Sequence, residues 1–85
     1  MSNFVLSSHA RDVLSERDLS AEWIERAINE PDFVKKEEDN TTHYIKSIAE
    51  REGRFLRVVV NTNETPHKVV TAFLDRRLQK HETKN

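Results

Sequence analysis

Arg51-Glu52-Gly53-Arg54-Phe55-Leu56-Arg57-Val58-Val59-Val60-Asn61 is the stretch that decides the fold of this 85-residue chain. Gly53 is its only glycine. A three-residue loop Arg51-Glu52-Gly53, with Gly53 in the left-handed region, turns one strand back onto the next. After the loop, Arg54–Asn61 is rich in β-branched and aromatic residues and reads as a strong strand. Before it, residues 42–50 alternate, with Tyr44 and Ile48 on one side and Ile45 and Ala49 on the other. After residues 62–66, a turn, residues 67–75 read as another strong strand. Residues 32–37, carrying Phe33 and Val34, make a short strand that enters the sheet through the polar turn Glu38-Asp39-Asn40-Thr41.

The Gly53 loop sets a register with Glu50 opposite Arg54, Ser47 opposite Arg57 and Ile45 opposite Val59. The next hairpin places Arg57 opposite Thr71 and Phe55 opposite Phe73. One face then carries Tyr44, Ile48, Leu56, Val58, Val60, Val70, Ala72 and Leu74, nearly all apolar and suited to seat helices. The other carries Ile45, Phe55, Val59, Val69 and Phe73 around His43, Ser47, Arg57, Thr71 and Asp75. A slip of one residue in either hairpin would exchange partners, so face membership within a strand is set more firmly than the pairing partner.

Two helices precede the sheet. Residues 3–6 form a short strand or an extended lead-in. Ser7 or Ser8 can cap the first helix, and Ala10, Val13 and Leu14 follow at helical spacing. Ser20 caps the second, with Glu22 where the helix dipole favours an acid. Leu19 and Ile24 make a hydrophobic staple across that cap. Trp23, Ile24, Ala27 and Ile28 form its apolar stripe, and Pro31 ends it. The expected fold class is α+β: two N-terminal helices packed on a four-stranded, mainly antiparallel β-meander. A single domain is expected over residues 1–76, with a flexible C-terminal tail over 77–85.

The bulk numbers restrict the function. A chain of this length buries only about 60–65% of its unfolded surface, so its core is modest. Without cysteine, neither a disulfide nor a cysteine-bound metal can staple it. Four histidines without ligand spacing predict no metal site, and no cofactor is expected. One glycine cannot make a phosphate-cradling loop. Fourteen Lys/Arg against fifteen Asp/Glu argue against coating nucleic acid by global charge. The start lacks the basic and apolar regions of a signal peptide, and no apolar run could cross a membrane. A cytoplasmic protein without membrane contact is expected, and self-association as a homodimer would add stability.

Few residues can carry chemistry. Arg17 falls in the middle of the first helix's apolar stripe, on one row with His9 and Val13. It must snorkel out, cap a carbonyl or meet an anion; equally, the helix can end there, where its charge suits the C-terminus. His9, in the first turn, can act as acid or base, or make only a structural hydrogen bond. Arg57, between Leu56 and Val58 in a strong strand, needs a partner or a purpose, and its planar fork suits phosphate or carboxylate. Asp75 could satisfy it with no function involved. Thr71, placed opposite Arg57, is a good strand former. His43 can supply an acid/base group, and Tyr44 a stacking surface or core. Arg76, Arg77 and Lys80 form a small basic cluster or a solvated strand end.

Ser8-His9-Ala10-Arg11, then Arg17, then Leu19-Ser20, resembles a bacterial family of small domains of unknown function, numbered 4258. Leu56-Arg57-Val58-Val59-Val60 and Val69-Val70-Thr71-Ala72 look like its paired strands. The resemblance covers roughly residues 4–75. It implies kinship with the RelE-like toxin ribonucleases (the barnase–EndoU–colicin–RelE group), and hence a RelE-like fold. Those enzymes cleave RNA without metal: a base activates the ribose 2′-hydroxyl, cations stabilise the phosphorane, and an acid protonates the leaving oxygen. The resemblance implies His9 as acid/base, Arg17 and Arg57 as phosphate-binding cations and Thr71 as a polar helper. It implies RNA, or a protein such as an antitoxin, as partner. The slightly acidic composition departs from the basic character that RNA binding favours. A non-catalytic protein-interaction module on the same fold is the alternative, motivated by the apolar group Phe55, Val59, Val69 and Phe73.

Overall fold

A computed structural model describes residues 4–78. The elements run β1 (Phe4–Leu6), α1 (Ser8–Glu16), α2 (Ala21–Asn29), β2 (Phe33–Lys36), β3 (Thr41–Ile48), a single 3₁₀ turn at Ala49–Arg51, β4 (Arg54–Asn61) and β5 (His67–Leu74). The strands make one five-stranded sheet in the order β1-β5-β4-β3-β2. No helix among the described residues is long and apolar enough to cross a membrane. Most of the segment expected to be a tail lies beyond Leu78, outside the described residues.

The class is α+β, but the expected four-stranded meander is corrected to a five-stranded mixed sheet. β1 pairs parallel to β5, with Phe4, Val5 and Leu6 beside His67, Lys68 and Val69. The other pairs are antiparallel. Loop lengths between successive strands exclude parallel neighbours there. They do not bear on β1, which pairs with the strand farthest from it in sequence, across a connection long enough for a crossover.

Serines start both helices. Ser7 Oγ accepts from the Ala10 amide at 3.0 Å and Ser20 Oγ from the Glu22 amide at 3.1 Å. α1 ends at Arg17, not beyond it. Asp18 then takes a left-handed φ of 56°. The Leu19 amide reaches back to the Leu14 carbonyl at 2.9 Å, and the Asp18 amide to Ser15 at 3.4 Å. This is a Schellman termination, usually built on glycine, and Leu14 and Leu19 supply its hydrophobic contact.

Both helices cover one face of the sheet. Ala10, Leu14, Leu19, Ile24 and Ala27 pack there against Ile48, Leu56, Val58, Val60, Val69 and Ala72. Arg26 fixes α2 to the turn after β3 through a two-pronged pair with Glu50, at 2.9 and 3.0 Å. That hydrogen bond from Arg26 draws the exposed Glu50 carboxyl down to about 2.

Two pairings differ from expectation. Ile45 lies opposite Arg57 and Ser47 opposite Phe55. Arg57 lies opposite Phe73, and Thr71 opposite Val59. The slip is two residues in each hairpin, so face membership survives it. Its cause at the first hairpin is the 3₁₀ turn, which removes Ala49, Glu50 and Arg51 from β3 and leaves Glu52 and Gly53 at φ 62° and 79°. Between β4 and β5 the register shifts at Val59/Val60, which skips Val70 of β5 and sets Val69 opposite Val60. Val69, expected on the outer face, is therefore in the helix-side core, fully buried.

Candidate functional site on the outer sheet face

Alternation along β4 sends Phe55, Arg57 and Val59 to the face away from the helices. Neighbouring side chains bury Arg57 to 8% exposure, although it is a cation. Such a group must be paired and hydrogen-bonded, and it is. Its Nε donates to Asp75 Oδ2 at 2.8 Å. Its Nη1 lies 2.8 Å from Nδ1 of His43.

Asp75 sits just past β5 and is 4% exposed. It also accepts from Arg77: Oδ1 from the backbone amide at 3.0 Å and from Nε at 3.2 Å. Burial works against its ionisation. The hydrogen bonds from Arg77 and then Arg57 overcome that and hold its carboxyl below the usual carboxylate range.

The His43 contact fixes a tautomer. A guanidinium only donates, so Nδ1 must accept and Nε2 must carry the proton. Burial first, and the Arg57 cation second, lower the His43 pKa, against a weaker pull upward from Glu37 and Asp39. His43 is therefore a neutral donor at neutral pH, with its basic lone pair occupied. The network sets two cations against one carboxylate and offers N–H donors. Thr71 shares the face, beside Val59 on the next strand. This arrangement can hold and polarise an anionic oxygen, but it contains no free base.

The four residues singled out from sequence fall into two groups. Arg57 and Thr71 are on the outer face. His9 is exposed in the first turn of α1. Arg17 is exposed at the end of α1, where its Nη1 donates to the Ala72 carbonyl at 2.9 Å. That carbonyl lies on the side of β5 that β1, paired only as far as Val69, leaves open. No hydrogen bond among the described residues joins His9 or Arg17 to Arg57. His43 and Asp75 were both legible as candidates from strand position. Arg77 was read only as part of a basic cluster, and its turn back onto Asp75 has no sequence signature.

Among the described residues no group of three His, Cys, Asp or Glu side chains is placed to hold a metal ion. The family model described as a domain of unknown function, DUF4258, matches residues 6–74. The chain belongs to that family. No curated protein and no solved structure matches it.

Proposed function

We propose that this domain acts on RNA as a metal-independent endoribonuclease of the RelE-like toxin type. The observation that carries the reading is Arg57, a buried guanidinium held from two sides by Asp75 and His43. A cation fixed before the reaction needs no reorganisation when charge develops on a phosphorane, which is where most electrostatic catalysis arises. Thr71 adds a hydroxyl on the same face. In this reading His9 is the acid/base and Arg17 a second phosphate-binding cation; both stand on α1, across the sheet from Arg57, and reach the same phosphate only around the edge of β5, where Arg17 is bonded to the Ala72 carbonyl. RNA is the substrate, and an antitoxin-like protein is a natural partner.

The test is cleavage of a structured RNA in EDTA by the wild type, His9→Ala, Thr71→Val and Arg57→Lys, with folding checked by circular dichroism. Cleavage lost in His9→Ala and reduced in Arg57→Lys is expected. No cleavage by any protein, or equal cleavage by all, ends the reading.

A second reading, a non-catalytic protein-interaction module, is favoured by the division of the candidate residues between α1 and the sheet. It is favoured also by Phe33 and Val34, which stay 48% and 54% exposed on edge strand β2. The apolar group that first motivated it loses Val69 to the core but gains Phe33, whose ring lies 5.9 Å from that of Phe55. Gel filtration with light scattering, followed by a pull-down, decides it. A strict monomer without partner would remove its support.

A further inference from the structure

A second cationic feature lies apart from the Arg57 network, at the end of the sheet where α1 stops and β3 turns into β4. A concavity of about 270 Å³ is lined by Arg17, Leu19, Arg51, Arg54, Phe73, Leu74 and Arg76. Four of its seven lining residues are arginines, in a chain where only fourteen of 85 residues are Lys or Arg. Chance composition would place about one there. No carboxylate lines it among the described residues.

The topology explains the convergence. Arg51 and Arg54 flank the β3–β4 turn, Arg76 follows β5, and Arg17 ends α1, so three separate segments deliver four arginines to one end of the sheet. Two are anchored without being neutralised. Arg17 donates to the Ala72 carbonyl. Arg51 donates to the Asp18 carbonyl at 3.4 Å, and its guanidinium lies 5.8 Å from the Trp23 ring centre. Carbonyls and an aromatic ring position these groups yet leave their positive charge and remaining N–H donors available. Like charges gathered this way repel one another, and a bound anion relieves that repulsion.

We infer that this cleft is a binding site for a phosphate monoester, carried either by a free 5′-nucleotide or by the 5′-phosphorylated end of an RNA strand. A monoester carries close to two charges at neutral pH, where an internal phosphodiester carries one. Arg17 and Arg51, held by neutral groups, and exposed Arg54 suit the denser charge and its several acceptor oxygens. Phe73 supplies an aromatic wall against which the attached base can stack. The cleft shares Arg17 with the ribonuclease reading but stands or falls apart from it, because occupancy here requires no cleavage and is read through Arg54, which that reading does not use.

Calorimetric titration tests it directly, with AMP, adenosine, and a short single-stranded RNA bearing either a 5′-phosphate or a 5′-hydroxyl. The expected result is binding of AMP, of the 5′-phosphorylated RNA or of both, no binding of adenosine, and weakening as salt rises. Exposed Arg54 is the residue to change. Arg54→Ala should weaken binding about fivefold or more, and Arg54→Lys should restore part of it. Phe73→Leu should reduce the affinity for AMP while leaving that for ribose 5-phosphate unchanged. Binding of neither phosphorylated probe overturns the proposal. So does equal binding of the 5′-phosphate and 5′-hydroxyl RNAs, or binding unaffected by Arg54→Ala in a protein whose circular dichroism is unchanged.

Discussion

Arg57 on β4 and Asp75, just past the end of β5, are joined with Nε and Oδ2 2.8 Å apart, and their side chains are 10% and 2% exposed. The pair is not symmetric, because Asp75 holds a second cation, Arg77, while Arg57 has no second carboxylate among the described residues. Removing the two partners should therefore have unequal consequences. Asp75→Ala leaves a buried cation uncompensated and should cost about 3–5 kcal/mol. Arg57→Met leaves Asp75 paired with Arg77 and should cost about 1–2 kcal/mol. Urea unfolding of the two variants measures the difference, and equal losses would contradict it.

Asp75 also sets an acid limit. Its folded pKa is below the unfolded value, so the folded state binds fewer protons at low pH than the unfolded chain. The stabilisation is complete above the unfolded value of about 3.9 and is lost as pH falls through the folded pKa. In Asp75→Asn the dependence of stability on pH below 4 should flatten, as read from urea midpoints across that range.

His43 acts in a higher window with the same sign. Its lowered folded pKa means that the unfolded chain takes up a proton first as pH drops below about 6.5. Stability should be fully present above that value and should decline below it, until the folded pKa is reached. Proton NMR should find His43 titrating below 6.5 with its proton on Nε2, and His43→Gln should remove the decline that sets in below about pH 6.5.

Asp18 holds a left-handed conformation that glycine adopts without steric cost. Asp18→Gly should stabilise the domain by about 0.5–1 kcal/mol. A thermal melt checks this, and a loss of stability would show that the Asp18 side chain contributes more than its backbone strain removes.

Leu56 is completely buried between the helices and the sheet. Leu56→Ala should cost about 2–5 kcal/mol, in a domain whose whole stability is of the order of 5–15 kcal/mol. A cooperative urea transition shifted to lower concentration is the expected readout.

Local signals were the legible ones. The serine caps, the Leu19–Ile24 staple and the alternation of β3 and β4 all act within a few residues, and all appear in the structure. The pairing partners were less legible. A 3₁₀ turn after Ile48 and the skipping of Val70 in the β4–β5 register are small backbone events, yet one shifts a hairpin by two residues and the other turns Val69 inward. The β1–β5 pairing was not legible, because it joins segments some sixty residues apart with no local mark on either. The outer face was half legible: alternation assigned Arg57, His43, Thr71 and Asp75 to it, but not which of them would bond. The arginine cleft was hidden for the same reason as β1, since its four residues share a location and not a sequence pattern.

The parallel pairing of β1 with β5 has a consequence for synthesis. Among the described residues, the first strand made hydrogen-bonds to the last. While the chain emerges from a ribosome, Phe4–Leu6 has no edge to join until residues 67–69 have left the exit tunnel. α1, which packs against that same late strand, must wait with it. The α2–β2–β3–β4 segment can assemble earlier. Completion of this fold is therefore gated by its final strand, and a nascent chain stopped before His67 would hold the apolar side of α1 uncovered, as a chaperone would find it.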